Sequence, residues 1–165
     1  MTIPHHDKTL RIRAQGEREL VITREFGAPR ELVFAAYTTP ELLVRWLGVW
    51  NGWKLDVCEV DLREGGKYRW VWRNADPSLP EMGMSGTYRE VSAPDRLVCT
   101  ELFDNPWYEG EALSTVAFVE RDGVTTLTVT MRYVSQAARD GVLASDMEEG
   151  LRPGYDNLAE VLATM

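Results

Sequence analysis

The chain has little of what metal, redox and nucleophilic chemistry requires. Its two histidines, His5 and His6, stand next to each other at the N-terminus, and its two cysteines are Cys58 and Cys99. These four residues do not have the spacing of a zinc site, and no phosphate-binding glycine loop or nucleophile-elbow motif occurs. The sequence therefore predicts no metal and no cofactor. We expect two buried free thiols, with a disulfide as the alternative.

Positive charge and long apolar runs are also scarce. Lys and Arg total 18 against 26 Asp and Glu, a net charge of −8, which argues against nucleic acid and anionic membranes as partners. No apolar run approaches the roughly 18 residues of a membrane-spanning helix. Residues 1–8 carry no apolar signal core, so we expect a flexible tail on a cytoplasmic protein.

What the chain does contain is alternating apolar sequence, in a chain with 44% hydrophobic residues. Tyr68, Trp70 and Trp72 share one face of a strand, and charged residues occupy most of the other face. Asp122-Gly123 marks a hairpin between two later strands. The pattern predicts a single domain over residues 9–165 with seven strands: one ending near Phe26, then 52–62, 67–73, 84–92, 96–104, 112–120 and 125–133.

Helices are predicted in two places. Two short helices follow the first strand, with Pro29 and Pro40 at their first positions. A short helix over 135–144 precedes a longer C-terminal one, for which Ser145–Glu148 predicts a capping box. Pro153 lies inside that longer helix and predicts a kink near 149–153.

Two blocks of sequence carry a resemblance to a known family. The first block consists of Phe26, Ala28, Pro29, Glu31, Val33, Phe34, Ala36, Tyr37, Thr38, Pro40, Glu41, Leu43 and Trp46, and the second of Asp61, Arg63, Gly65, Gly66 and Tyr68. Together they resemble the family named after the C-terminal domain of the activator of the heat-shock-protein-90 ATPase, in its bacterial stand-alone branch. That family belongs to the superfamily of START domains, birch-pollen-allergen-like proteins and polyketide cyclases. The likeness extends over residues 20–164.

The resemblance implies an α+β helix-grip fold. In that fold a seven-stranded curved antiparallel sheet wraps around a long C-terminal helix, and two short helices lie between the first two strands. A curved sheet and a straight helix leave a gap, which members of the superfamily use as a ligand cavity. Strand parity then predicts the lining residues Trp53, Val57, Trp70, Trp72, Tyr88, Phe118, Leu127, Val129, Met131 and Tyr133, with Met147, Leu151 and Leu158 from the helix. Ordinary core packing is the alternative interpretation of every one of them.

Two carboxylates fall at inward positions of predicted strands. Glu101 shares a face with Cys99 and Phe103, and Glu59 shares one with Val57. A buried carboxylate needs a partner or a proton, so each is either a ligand anchor or general acid/base, or a residue near a strand end or paired with arginine. A register error of one residue would put Glu101 outside. Tyr88 completes the set of catalytic candidates.

Loop aromatics have two interpretations. Trp46 is expected to pack the helical pair on the sheet, whereas Trp50 and Trp107-Tyr108 lie in loops. Exposed aromatics there either border the mouth of the cavity or form a dimer contact. A homodimer and a monomer both remain open.

Three functions follow from these observations. The first is binding of a small hydrophobic or aromatic ligand. The second is a cyclase, dehydratase or hydrolase acting on an aromatic or polyketide-like compound, which the absence of histidine from the body of the chain disfavours. The third, a co-chaperone that regulates an ATPase, rests on the family name alone and is disfavoured.

Overall fold

The computed structural model describes residues 9–165. The predicted tail over residues 1–8, with His5 and His6, lies outside the described residues. The strands are β1 (Arg11–Gln15), β2 (Glu19–Phe26), β3 (Trp53–Val60), β4 (Lys67–Asn74), β5 (Met82–Ser92), β6 (Arg96–Phe103), β7 (Ala112–Arg121) and β8 (Val124–Arg132). The helices are α1 (Arg30–Thr38), α2 (Pro40–Leu43), α3 (Gln136–Ala144) and α4 (Met147–Ala163).

All eight strands form one antiparallel sheet in the order β1-β2-β8-β7-β6-β5-β4-β3. The α+β class and the seven predicted strands are confirmed, and β1 is an additional edge strand. The sequence did not predict β1 because its residues do not alternate between apolar and polar: Arg11, Arg13 and Gln15 are exposed, and only Ile12 packs on the core. Its pairing with β2 is directed by the turn at Gly16, where φ is +57°.

The two short helices lie between β2 and β3. Pro40 is the first residue of α2, as predicted, but Pro29 precedes α1 as its N-cap. After α2 the chain turns so that the indole of Trp46 is buried, and its Nε1 donates a hydrogen bond to the carbonyl oxygen of Ala36 at 3.0 Å. Trp46 therefore fastens the segment after α2 to α1, and its ring lies beside Tyr155 of α4 at 6.2 Å.

The C-terminal helices begin differently from the prediction. Ser135 caps α3 by accepting a hydrogen bond from the backbone N–H of Ala138 at 3.1 Å. The predicted capping box is wrong, because the Ser145 hydroxyl donates back to the Val142 carbonyl at the end of α3. Helix α4 begins at Met147 without a side-chain cap and continues through Pro153.

A hydrophobic core lies between the inner face of the sheet and the helices α1 and α4. Leu20, Phe118 and Leu158 are almost completely buried there, together with Val33 of α1. This is the helix-grip arrangement, with α4 against a curved sheet. In the part of the chain that the structure describes, no helix has the length and apolar character needed to cross a membrane.

Candidate functional site: an aromatic cavity

A cavity of about 380 Å³ lies between the inner face of the sheet and α4. Its aromatic lining residues are Tyr37, Trp46, Trp70, Trp72, Phe103, Trp107, Tyr108, Tyr133 and Tyr155. The aliphatic and methionine side chains are Ile22, Leu47, Met84, Val116, Val129, Met131, Val142, Met147 and Leu151. Glu101, Ser114 and the glycines Gly48, Gly150 and Gly154 complete the wall.

Glycines help to keep this space open. Gly150 and Gly154 lie on the face of α4 toward the cavity. A Cβ at Gly154 would come 3.5 Å from the Trp46 carbonyl oxygen, and a Cβ at Gly150 would meet nothing within 4 Å. At Gly48, φ is +68° and a Cβ would overlap the Trp72 indole, whose Nε1 donates to the Leu47 carbonyl at 2.9 Å. A side chain at Gly48 would therefore displace one wall of the cavity.

Many of the residues predicted from strand and helix parity border the cavity. They are Trp70, Trp72, Glu101, Val129, Met131, Tyr133, Met147 and Leu151. Contact of these side chains with a ligand stays a prediction.

Other predicted lining residues belong to the packed core instead. Tyr88, Phe118, Leu127 and Leu158 are buried and outside the cavity wall. Phe118 packs edge-on against Phe34 with the ring centres 5.3 Å apart, and Tyr88 lies beside Tyr68 at 5.5 Å. All four side chains face the core as predicted, but α1 covers Phe118 and the neighbouring Tyr68 packs on Tyr88.

Strand β3 departs from the prediction because of an irregularity in its pairing with β4. The register shifts between Leu55 and Val57, so the face that points inward changes there. Before the shift Leu55 is in the core, and after it Cys58 and Val60 pack on the core. Glu59 is exposed, and neither Trp53 nor Val57 borders the cavity. Glu59 is thus removed from the candidate acids and bases.

Glu101 is the carboxyl group of the cavity wall. It lies on β6 opposite Ala112, while the next residue, Leu102, points outward. Within residues 9–165, no hydrogen bond or ion pair reaches the Glu101 carboxylate. Burial raises the pKa of Glu101 to about 7, because a low-dielectric wall disfavours the charged form.

Tyrosines surround this carboxyl group. Burial, and then the charge of Glu101, raises the pKa of Tyr108 to about 12. Burial is the main cause of the raised pKa values of Tyr37, Tyr133 and Tyr155, and Glu101 adds to each. The Tyr37 hydroxyl donates to the Tyr155 hydroxyl at 3.2 Å and so links α1 to α4 across the cavity. All four phenols stay protonated at neutral pH.

Sequence reasoning missed several wall residues. Tyr155 lies one helical turn after Leu151, a spacing of four that could have identified it. Tyr37 matched the family pattern but carried no signal that it would reach the cavity. Ser114 is buried among apolar neighbours on β7, and nothing in the local sequence separates it from core positions.

Loop aromatics are divided between two places. Trp107 is 54% exposed at the edge of the cavity, and Tyr108 beside it packs edge-on against Tyr133 at 5.3 Å. Trp50 is 45% exposed and does not border the cavity. Trp107 both borders the cavity and is exposed, so it lies at the cavity mouth, whereas Trp50 does not border the cavity.

The chemistry of the site is that of an apolar container with few polar groups. The indole Nε1 of Trp70 is buried without a hydrogen-bond partner among residues 9–165. In the same residues no group of three or more His, Cys, Asp or Glu side chains could hold a metal ion. Cys58 and Cys99 are free thiols; Cys99 is buried as expected, whereas Cys58 is partly exposed.

Known proteins share this architecture. A crystal structure of a protein from Rhodobacter sphaeroides is 31% identical and covers 96% of this chain and 100% of its own, with a TM-score of 0.88. Protein NE0264 from Nitrosomonas europaea is 27% identical over 92% of this chain and 97% of its own, with a TM-score of 0.78.

A third neighbour, a protein from Aeromonas hydrophila described as similar to the heat-shock-protein-90 ATPase activator homologue, shows the fold at 22% identity. It covers 87% of this chain and 92% of its own, with a TM-score of 0.65. No curated protein matches the chain. The model of the family described as Activator of Hsp90 ATPase homolog 1-like protein matches residues 27–163. The chain therefore belongs to this family, as its two sequence blocks had indicated.

Proposed function

We propose that the protein binds a small hydrophobic or aromatic molecule in the cavity between its sheet and α4. The observation that carries the proposal is the cavity itself, about 380 Å³ and lined chiefly by aromatic and aliphatic side chains. Small-molecule sites are commonly clefts or cavities of about 300–1,000 Å³ with a few polar groups. One carboxyl group, several phenols and a hydroxyl fit that description.

The size of the cavity supports binding over incomplete packing. Protein interiors contain few voids larger than a water molecule, and an engineered apolar cavity of about 150 Å³ already binds benzene. A larger side chain at Gly150 or Ser114 could fill this volume. The space nevertheless stays open beside side chains as large as Trp70 and Trp72. A ligand of one or two rings would recover the contacts that the wall lacks.

Residues from distant parts of the chain would make the contacts. We include Tyr37, Tyr108 and Tyr155 with the predicted set that borders the cavity. The two free thiols agree with a reducing, cytoplasmic location. Trp107 at the cavity mouth would close over a bound molecule or contact a second copy of the chain, and measuring the oligomeric state with and without ligand distinguishes these roles.

A thermal-shift panel tests binding. Purified protein is screened against flavonoids, polyketide-like aromatics, aromatic amines, sterols and fatty acids. A ligand at 100 times its Kd adds about 2.7 kcal/mol, which corresponds to a rise in Tm of about 5–10 °C for a chain of this size. A saturable rise with one chemical class is the expected result, and a flat response across all classes would contradict the proposal.

Two glycine variants make the panel specific for the cavity. Gly150 and Gly141 are both exposed and helical, and a Cβ at either would meet nothing within 4 Å. Only Gly150 borders the cavity. Gly150→Trp should abolish the ligand-induced shift by filling the space, and Gly141→Trp should keep it. Equal shifts in both variants would place the ligand elsewhere.

Catalysis is the second candidate, and Glu101 is the observation that favours it. A carboxyl group with a pKa of about 7 is suited to general acid/base chemistry near neutral pH. Any ligand from the panel is incubated with the protein and with Glu101→Gln, and products are followed by mass spectrometry. Turnover that is lost in Glu101→Gln supports an enzyme, and equal turnover removes Glu101 from the mechanism.

A further inference from the structure

We propose that the preferred ligand is a hydrophobic cation, an amine whose ammonium group contacts Glu101 while its apolar body packs among the aromatic rings. This inference rests on the proposed ligand-binding function and adds the charge of the ligand to it. It follows from the charges in the wall, the arrangement of the rings and the surroundings of one carboxyl group.

The wall carries a single acidic charge and no basic one. Among the described lining residues, Glu101 is the only Asp or Glu, and none is Lys, Arg or His. The buried Arg24 does not border the cavity and forms an ion pair with Asp156 at 3.0 Å. A carboxylate ligand would thus place a second negative charge beside Glu101 without compensation, which is strongly unfavourable in a low dielectric.

The tyrosines and the cysteine whose pKa values the charge of Glu101 raises are neutral at pH 7. The charge of Glu101 acts on tyrosines of several elements and on Cys99 of its own strand; they are Tyr37 of α1, Tyr68 of β4, Tyr108 of the β6–β7 loop, Tyr133 after β8 and Tyr155 of α4. The pKa values of these tyrosines and of Cys99 are all raised, so each of these groups stays protonated and uncharged at pH 7. The ionised carboxylate lacks a positive partner in the protein, and an ammonium ion would provide one.

The rings around the cavity also suit a cation. Trp70 and Trp72 lie with ring centres 6.1 Å apart at 71°, and Tyr108 and Tyr133 at 5.3 Å and 89°. Each pair is T-shaped, and all four rings belong to the cavity wall. Ring faces attract ammonium groups, Trp most strongly. A net charge of −8 adds long-range attraction for cations.

Three probes with one skeleton separate charge from shape. They are 2-(1-naphthyl)ethylamine, 2-(1-naphthyl)ethanol and 1-naphthylacetate, which are a cation, a neutral donor and an anion over pH 6–8. Binding is measured by isothermal titration calorimetry. At pH 8 we expect the amine to bind at least tenfold more tightly than the alcohol and the anion to bind least. Equal binding of amine and alcohol, or tighter binding of the anion, would overturn the inference.

The pH dependence gives a second readout. With a pKa of about 7 for Glu101, the ionised fraction falls about tenfold from pH 8 to pH 6, and the apparent affinity for a cation falls with it. The amine itself stays charged, because alkyl amines titrate near pH 10. We expect about tenfold weaker binding of the amine at pH 6 and no such loss for the alcohol. An amine affinity that is constant between these pH values would contradict the contact with Glu101.

Paired variants locate the charge. Glu101→Gln should lower amine affinity to that of the alcohol, and retained alcohol binding shows that this variant is folded. Glu59→Gln makes the same chemical change on the exposed face of β3 and should bind like the unsubstituted protein. If Glu101→Gln fails to fold, the pH dependence of the unsubstituted protein decides alone.

Failure of the inference and failure of the proposed function give different results. Tight alcohol binding without amine preference leaves a hydrophobic binding protein and overturns the cation. If none of the three probes binds, the cation inference is overturned, while the wider thermal-shift panel continues to decide whether the cavity binds any ligand.

Discussion

At the scale of single residues, Glu101 is a position where burial and charge conflict. Its pKa is raised from 4.5 in its ordinary state to about 7 by burial. At a pH between these two values, the folded protein therefore keeps a proton on Glu101 that the unfolded chain has already released. Stability is greatest below about pH 4.5 as far as this group is concerned, falls as the pH rises toward 7, and is then constant.

We predict that Glu101→Gln removes this loss of stability between pH 4.5 and pH 7. The shift corresponds to at most about 3 kcal/mol, and partial exposure of the side chain to the cavity reduces the effect. Unfolding in urea at pH 5 and pH 8 should show a smaller decrease in the free energy of unfolding for Glu101→Gln than for the unsubstituted protein. Identical decreases would mean that Glu101 is solvated and titrates normally.

Sequence parity treated Glu101 and Glu59 alike, and the structure separates them. Both lie at alternate positions beside apolar residues. Strand β6 keeps its register through Glu101 opposite Ala112, whereas β3 shifts between Leu55 and Val57. A bulge depends on how two strands pair, so a pattern confined to one strand does not predict it.

At the scale of elements, the side chain of Tyr68 on β4 passes over Gly86 on β5 and reaches β6. Tyr68 on β4 is opposite Gly86 on β5, and its hydroxyl donates to the Thr100 carbonyl on β6 at 2.5 Å. A Cβ at Gly86 would overlap both the Thr100 carbonyl oxygen and the Tyr68 ring. Glycine at this position thus allows a ring to bridge three strands next to the cavity.

We predict that Gly86→Ala lowers the free energy of unfolding by about 2 kcal/mol or more. Overpacking of this kind commonly costs about 1–3 kcal/mol, and here one neighbour is backbone, which cannot rotate away. Gly141→Ala, at an exposed position of α3, is the control and should raise stability by up to about 1 kcal/mol through helix propensity. Urea unfolding of both variants is the measurement, and a neutral Gly86→Ala would show that β5 and β6 can separate without cost.

At the scale of the whole molecule, one core connects elements from both ends of the chain. Its buried residues include Leu20 of β2, Val33 of α1, Leu97 of β6 and Leu158 of α4. The strand order also places β2 beside β8, so early and late segments are neighbours. Removing any one layer would expose the apolar faces of the others.

We therefore predict that residues 9–165 unfold as a single domain in one two-state transition. Thermal unfolding followed by far-ultraviolet circular dichroism and by tryptophan fluorescence should give the same midpoint. The six tryptophans report mainly on β3, β4 and the loops near the cavity, and circular dichroism reports on the whole chain. Separate midpoints would show that the cavity side unfolds independently.

The sequence by itself determined the fold class, the family and most strands, because alternation over a strand and spacing along a helix are local. It also placed Trp70, Trp72 and Tyr133 on the inner face of the sheet. It missed the edge strand β1, whose exposed residues carry no apolar alternation. Tertiary structure alone decided which inward side chains border the cavity. Whether another element covers a side chain depends on packing between distant segments, as where Tyr155 of α4 meets Tyr37 of α1 and where α1 covers Phe118.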